Sequence, residues 1–171
     1  MRKLRQQYLI VLFVSHGGNR ELASFFLQLL LEREKPYVVY LAQSYWDPGF
    51  RALRDEVIES ENNQHAGETE TSMVLAIRPD LVKMASIDEH SGKPLGRQAH
   101  LKDVLAGRET SVSWYANYPD HYAGDARPST AEKGERLLEY LAERLAQTIK
   151  AVKEDTAVPE LYREFFSRTQ H

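Results

Sequence analysis

Cysteine is absent from this chain of 171 residues. That excludes disulfides and thiolate metal sites, so a metal would have to sit on His, Asp and Glu, which suits a cytoplasmic enzyme. Long hydrophobic runs are missing too. The longest, residues 8–14, falls far below the roughly 18 to 20 residues a membrane-spanning helix needs. The basic opening Met1-Arg2-Lys3-Leu4-Arg5 resembles the start of a signal peptide, but the apolar run after it is at the short limit and no small-residue cleavage site precedes His16. Charge of one sign is also scarce. Lys and Arg number 22 against 25 Asp and Glu, for a net charge of −3, so nothing argues for nucleic acid or an anionic membrane as a partner. Internal repeats and low-complexity tracts are absent, and the length fits one domain, residues 1–171, with a sizeable core.

What is present reads as α/β, a largely parallel sheet flanked by helices. Tyr8-Leu9-Ile10-Val11-Leu12-Phe13-Val14 has too many consecutive apolar side chains for a half-exposed strand, which predicts a central parallel strand covered on both faces. From Arg20 to Glu34 the apolar residues Leu22, Phe25, Phe26, Leu29 and Leu30 recur at helical spacing, a wide core-facing stripe. Pro36 stops that helix, and Tyr37 to Ala42 reads as the next strand of a βαβ unit. Asp47-Pro48 is an N-cap and first-turn pair for a short helix with Phe50, Leu53 and Val57 on one face. A helix carrying Met73, Val74, Ile77 and Leu81 is expected to be buried and to be interrupted by Pro79. Thr110 to Tyr118 looks extended, and Tyr118 to Asp125 is turn-rich. Ser129 with Glu132 forms a capping-box pattern opening a long helix to about Lys153, and Pro159 is expected to start a short terminal helix.

Two segments carry chemistry. His65-Ala66-Gly67-Glu68-Thr69-Glu70-Thr71-Ser72 packs one imidazole and two carboxylates into six positions ahead of an apolar run, the donor types that hold Zn, Mn or Fe. Ser15-His16-Gly17-Gly18-Asn19 puts a histidine and two glycines where the first strand ends, and ligands of parallel sheets gather at such ends. Plain alternatives exist: His16 as a capping or core histidine, and Glu68 and Glu70 as acids that favour a helix N-terminus. The latter accounts for the acids but not for the histidine or glycine. Gly17-Gly18 lacks the lysine or the glycine spacing of a phosphate loop.

These motifs resemble the creatininase family, metal-dependent amidohydrolases that include creatinine amidohydrolase and archaeal formamide deformylases. Phe13-Val14-Ser15-His16-Gly17-Gly18-Asn19 is similar to the family's strand followed by Asn-Gly-His-Gly-Gly-Asn. His65 to Ser72 matches its His-Ala-Gly-Glu-x-Glu-Thr-Ser almost residue for residue. Gly124-Asp125 with Ala131-Glu132-Lys133-Gly134 resembles its late signature, with Ala126 where proline is usual. The family's Glu-x-His pair and bridging Asp occur nowhere; Asp88-Glu89-His90 and Asp120-His121 come nearest. The likeness is therefore expected to cover only the carboxyl-terminal portion of the family's domain.

The resemblance implies hydrolysis of a non-peptide C–N bond in a small cyclic amide or formamide, with two divalent ions (Zn, Mn or Fe) in a complete site. His16 and Glu68 would be metal ligands. His65 would move protons or stabilise charge on the tetrahedral intermediate, and Glu70 would orient it. Trp46, Trp114, Tyr115, Tyr118 and His121 could line a pocket for a planar amide or belong to core or subunit contacts. The expected partners are a small-molecule amide and either further copies of the chain or another polypeptide that completes the site. The rival expectation is a catalytically silent structural or subunit-binding domain.

Overall fold

A computed structural model describes residues 8–43, 47–105 and 110–169. They fall into two compact units, 1–51 with 140–171 and 52–139. Their architecture is α/β, helices with a parallel sheet. Among the described residues no helix is long and apolar enough to cross a membrane.

In the first unit, β1 (Tyr8–Val14) and β2 (Tyr37–Gln43) pair in parallel, in register from Tyr8 opposite Tyr37 to Val14 opposite Gln43. A 3-10 turn (Gly17–Asn19), α1 (Arg20–Leu29) and a second 3-10 turn (Leu30–Glu32) connect them. The connection is the expected one, but the burial is not. Among the described residues β1 pairs with β2 alone, and Tyr8, Ile10 and Phe13 are exposed, so it is not a strand covered on both faces. The apolar stripe of α1 is turned outward as well. Leu22 is 67% and Phe25 56% exposed, and Ala23 is the helix's buried residue. Helical spacing specifies that apolar residues share a face, not what covers the face.

α2 (Pro48–Val57) starts as its sequence predicts. Phe50 N–H donates to Asp47 Oδ1 at 3.0 Å, and the Tyr140 hydroxyl donates to the same oxygen at 2.5 Å. The Tyr140 bond, helped by Phe50 N–H and Arg144 against the opposing effect of burial, holds the Asp47 carboxyl down at about 2. A depressed folded-state pKa means that the contribution is fully present above the unfolded value near 3.9 and is lost as pH falls towards about 2. Asp47→Ala should therefore lower stability by about 1–2 kcal/mol at neutral pH in urea unfolding, and by less at pH 2. The carboxyl end of the chain is tied to β2 in the same way. Tyr40 donates to Asp155 Oδ2 at 2.7 Å, and Asp155 in turn caps α6 (Ala157–Thr169) through Ala157 N–H at 2.9 Å. Burial, with Asp155 adding to it, pushes the Tyr40 hydroxyl up to about 12.

The second unit holds β3 (Asn63–His65), α3 (Glu68–Ile77), α4 (Ser113–Asn117), β4 (Ala123–Gly124) and the start of α5 (Ala131–Glu154). β3 and β4 pair antiparallel. α3 ends before Pro79, as expected, but it buries its polar side. Glu68, Thr69 and Ser72 are inside, whereas Val74, Ile77 and Leu81 are exposed, which corrects the reading of an apolar buried helix. A close approach selects that face. A Cβ on Gly134, in α5, would collide with the Ser72 carbonyl.

Residues 110–118 are not extended. Ser113 Oγ accepts Thr110 N–H at 2.7 Å and donates to Gln98 Oε1 at 2.9 Å, completing the first turn of α4. At its other end Arg97 Nε donates to Ala116 O at 2.7 Å, and the same guanidinium donates to Tyr115 O. Partners at 97 and 98 thus override the strand preference of Trp114 and Tyr115. The cap of α5 is displaced by one residue: Thr130 Oγ1, not Ser129, accepts Lys133 N–H, at 3.2 Å. Ser129 Oγ donates instead to the Glu68 carbonyl at 3.3 Å.

Candidate active site

The motif from His65 to Ser72 becomes a strand, a two-residue corner and a helix. β3 ends at His65 and α3 begins at Glu68, so Ala66 and Gly67 must reverse the chain. Gly67 is required by space, because a Cβ there would lie 2.8 Å from Asn63 Oδ1 and 3.1 Å from Asn63 Cα. Asn63 supplies the cap: its Oδ1 accepts Thr69 N–H at 3.0 Å, while its Nδ2 donates to Thr69 Oγ1 at 2.5 Å. Ala66 takes up the rest of the turn with φ +51, a left-handed conformation rare outside glycine.

Out of this corner come His65 and Glu70. His65 Nδ1 lies 3.5 Å from Glu70 Oε2, and that oxygen also accepts Ala66 N–H at 2.8 Å. Trp114 stands edge-on to the imidazole, ring centres 5.8 Å apart at 87°, and packs at 4.9 Å against Tyr118. Tyr118 is buried, and Trp114 and the imidazole are each partly open to solvent. Four of the expected side chains therefore sit together. His121 is exposed, in a turn where its N–H donates to the Tyr118 carbonyl at 3.0 Å and its φ is +60. Tyr115 is exposed beneath the Arg97 guanidinium, 5.0 Å from its ring centre. Trp46 lies outside the described residues.

Glu68 is bonded on both carboxylate oxygens. Its side chain is 0% exposed; Oε2 accepts Glu59 N–H at 2.9 Å and Ser60 N–H at 2.7 Å, and Lys133 Nζ donates to Oε1 at 2.5 Å. Burial alone would push this carboxyl up. The Lys133 ammonium and the N–H groups of Ser60 and Glu59 outweigh it and hold Glu68 below the usual carboxylate range. A divalent ion would have to displace an ammonium that itself donates to Glu59 Oε1 at 2.7 Å and to the Pro128 carbonyl at 3.0 Å. His16 belongs to the first unit, at the end of β1, where its Nδ1 accepts Gly18 N–H at 3.1 Å and so caps the glycine turn. Among the described residues no three His, Asp or Glu side chains gather as an ion would need.

The importance of Lys133 was not legible in the sequence. It belongs to the late signature, but its partner lies 65 positions earlier. Nor was it legible that the two poor matches to Glu-x-His would meet: His90 Nδ1 lies 3.1 Å from Asp120 Oδ2, both exposed.

The family model for creatininase, described as creatinine amidohydrolase, matches residues 6–149, and the chain belongs to that family. The match takes in β1, so the expectation that the likeness covers only a carboxyl-terminal portion is not borne out. A crystal structure from Bacteroides fragilis named "Putative creatinine amidohydrolase" superimposes with a TM-score of 0.63 at 23% identity, over 85% of this chain and 54% of that one. At that identity it shows the fold, and the chain spans about half its length. No curated protein matches. The family is generally metal-dependent.

Proposed function

We infer that this chain is an amidohydrolase of the creatinine amidohydrolase type, acting on a non-peptide C–N bond of a small cyclic amide or formamide. The observation that carries this reading is His65 between the Glu70 carboxylate and the Trp114 ring. Hydrolysis needs a proton taken from the attacking water and one delivered to the departing nitrogen, and an oriented imidazole can do both. Glu70, with an oxygen 3.5 Å from Nδ1, favours a proton on that nitrogen and orients the ring. Trp114 and Tyr118 offer a flat apolar wall suited to a planar amide.

Zn, Mn or Fe dependence follows from the family rather than from a ligand set among the described residues, and the role of His65 does not depend on it. The test is an assay on creatinine, other cyclic amides and N-formyl compounds, with each metal and with chelator. Turnover of one class supports the reading. No turnover under any condition overturns it.

One observation favours a structural or subunit-binding role: Glu68 is committed to Lys133 rather than to chemistry. The outward apolar residues of β1 and α1 fit such a role, and also fit an enzyme built from several copies. Self-association is therefore expected, with sedimentation above the monomer mass at micromolar concentration. A clean monomer at high concentration would count against both assembly readings.

A further inference from the structure

We propose that Thr71 is a positioning residue for His65, acting through the strained corner at Ala66; this rests on the role of His65 inferred above. In the same unit φ is also left-handed at Gly92 (+62), Gly96 (+64) and His121 (+60), and glycine alone adopts that conformation freely. Ala66 has no such freedom, so its conformation must be held from outside.

Two consecutive residues of α3 hold it. On one side the Glu70 carboxylate accepts Ala66 N–H at 2.8 Å. On the other the Thr71 hydroxyl donates to the Ala66 carbonyl at 2.9 Å, and Thr71 N–H donates to Gly67 O at 2.9 Å. The peptide groups on both sides of Ala66 are therefore clamped to the first turn of the helix.

Only Ala66 and Gly67 separate His65 from α3, so the backbone angle at Ala66 and the direction in which His65 leaves the strand are nearly one variable. Glu70 Oε2 can meet Ala66 N–H and stand 3.5 Å from His65 Nδ1 only while that angle is kept. Releasing the carbonyl side lets Ala66 relax to an ordinary conformation and carries the imidazole away from its carboxylate. The Thr71 hydroxyl thus guards the His65–Glu70 geometry without touching either side chain's reactive atoms.

Thr71→Val keeps the shape and removes the donor; Thr71→Ser restores the donor. The readout is the tautomer ratio of His65 from imidazole 15N shifts, which a merely structural role would not move. The wild type should show chiefly the Nδ1–H form. In Thr71→Val that preference should fall several-fold at an unchanged unfolding midpoint, and Thr71→Ser should return it. A wild-type ratio in Thr71→Val overturns the proposal.

Should the valine variant not fold, the wild type decides. Ala66 φ outside the left-handed region, from three-bond couplings, overturns it, and a slowly exchanging Thr71 hydroxyl proton supports it. Where amide hydrolysis is measurable, Thr71→Val should lower kcat by up to about 10²-fold with KM unchanged. Absent hydrolysis in the wild type sinks the functional reading while the tautomer ratio still decides this one.

Discussion

Lys133→Met should destabilise the fold by about 3–5 kcal/mol, the cost of leaving one member of a buried ion pair without its partner. The stranded group would be Glu68, at 0% exposure, keeping only the Glu59 and Ser60 N–H donors. Lys133 is itself largely buried and uses its ammonium on Glu59, Glu68 and the Pro128 carbonyl. Pairing the change with Glu68→Gln should recover part of the loss, since the two single effects share one interaction. Equilibrium urea unfolding of the four proteins tests it, and a loss under about 1 kcal/mol in Lys133→Met would mean that water reaches the carboxylate.

The pair also sets a pH window. Glu68 is depressed on folding, so its contribution is present above the unfolded value near 4.3 and is lost as pH falls through the lower folded value. For Lys133, burial acts downward, but bonds to Glu59 and Glu68 prevail and raise it. Its contribution is full below the unfolded value near 10.4 and is lost as pH rises through the higher folded one. Stability should therefore be broad through neutrality and fall at both ends, and Lys133→Met should flatten both.

His65→Ala should reduce amide hydrolysis on the order of 10²-fold or more, as for loss of a general acid or base, while leaving the unfolding midpoint nearly unchanged because the imidazole is partly exposed. Glu70→Gln should cost less in rate, roughly 10- to 100-fold, since the amide can still face His65 but no longer stabilises its charged form. Full activity in His65→Ala would leave that histidine a structural residue and shift attention to the exposed His90–Asp120 pair.

Local features of this protein were decided by sequence alone. β1 begins and ends where its apolar run does, α2 starts on Asp47-Pro48, α3 stops ahead of Pro79, and the grouping of His65 with Glu70 follows from a spacing of five across one corner. Each rests on neighbours a few residues apart, where propensity, capping and a missing N–H act directly. Tertiary structure decided the rest. The apolar stripe of α1 faces outward, because periodicity aligns side chains without naming what covers them. Residues 113–117 are helical because Arg97 and Gln98 satisfy both ends of the turn. Glu68, by its sequence context a ligand or a helix-start acid, is buried and paired with Lys133. Its burial is tolerable only because the fold brings an ammonium and two peptide N–H groups to it, and Lys133, 65 positions away, announces nothing of that in sequence.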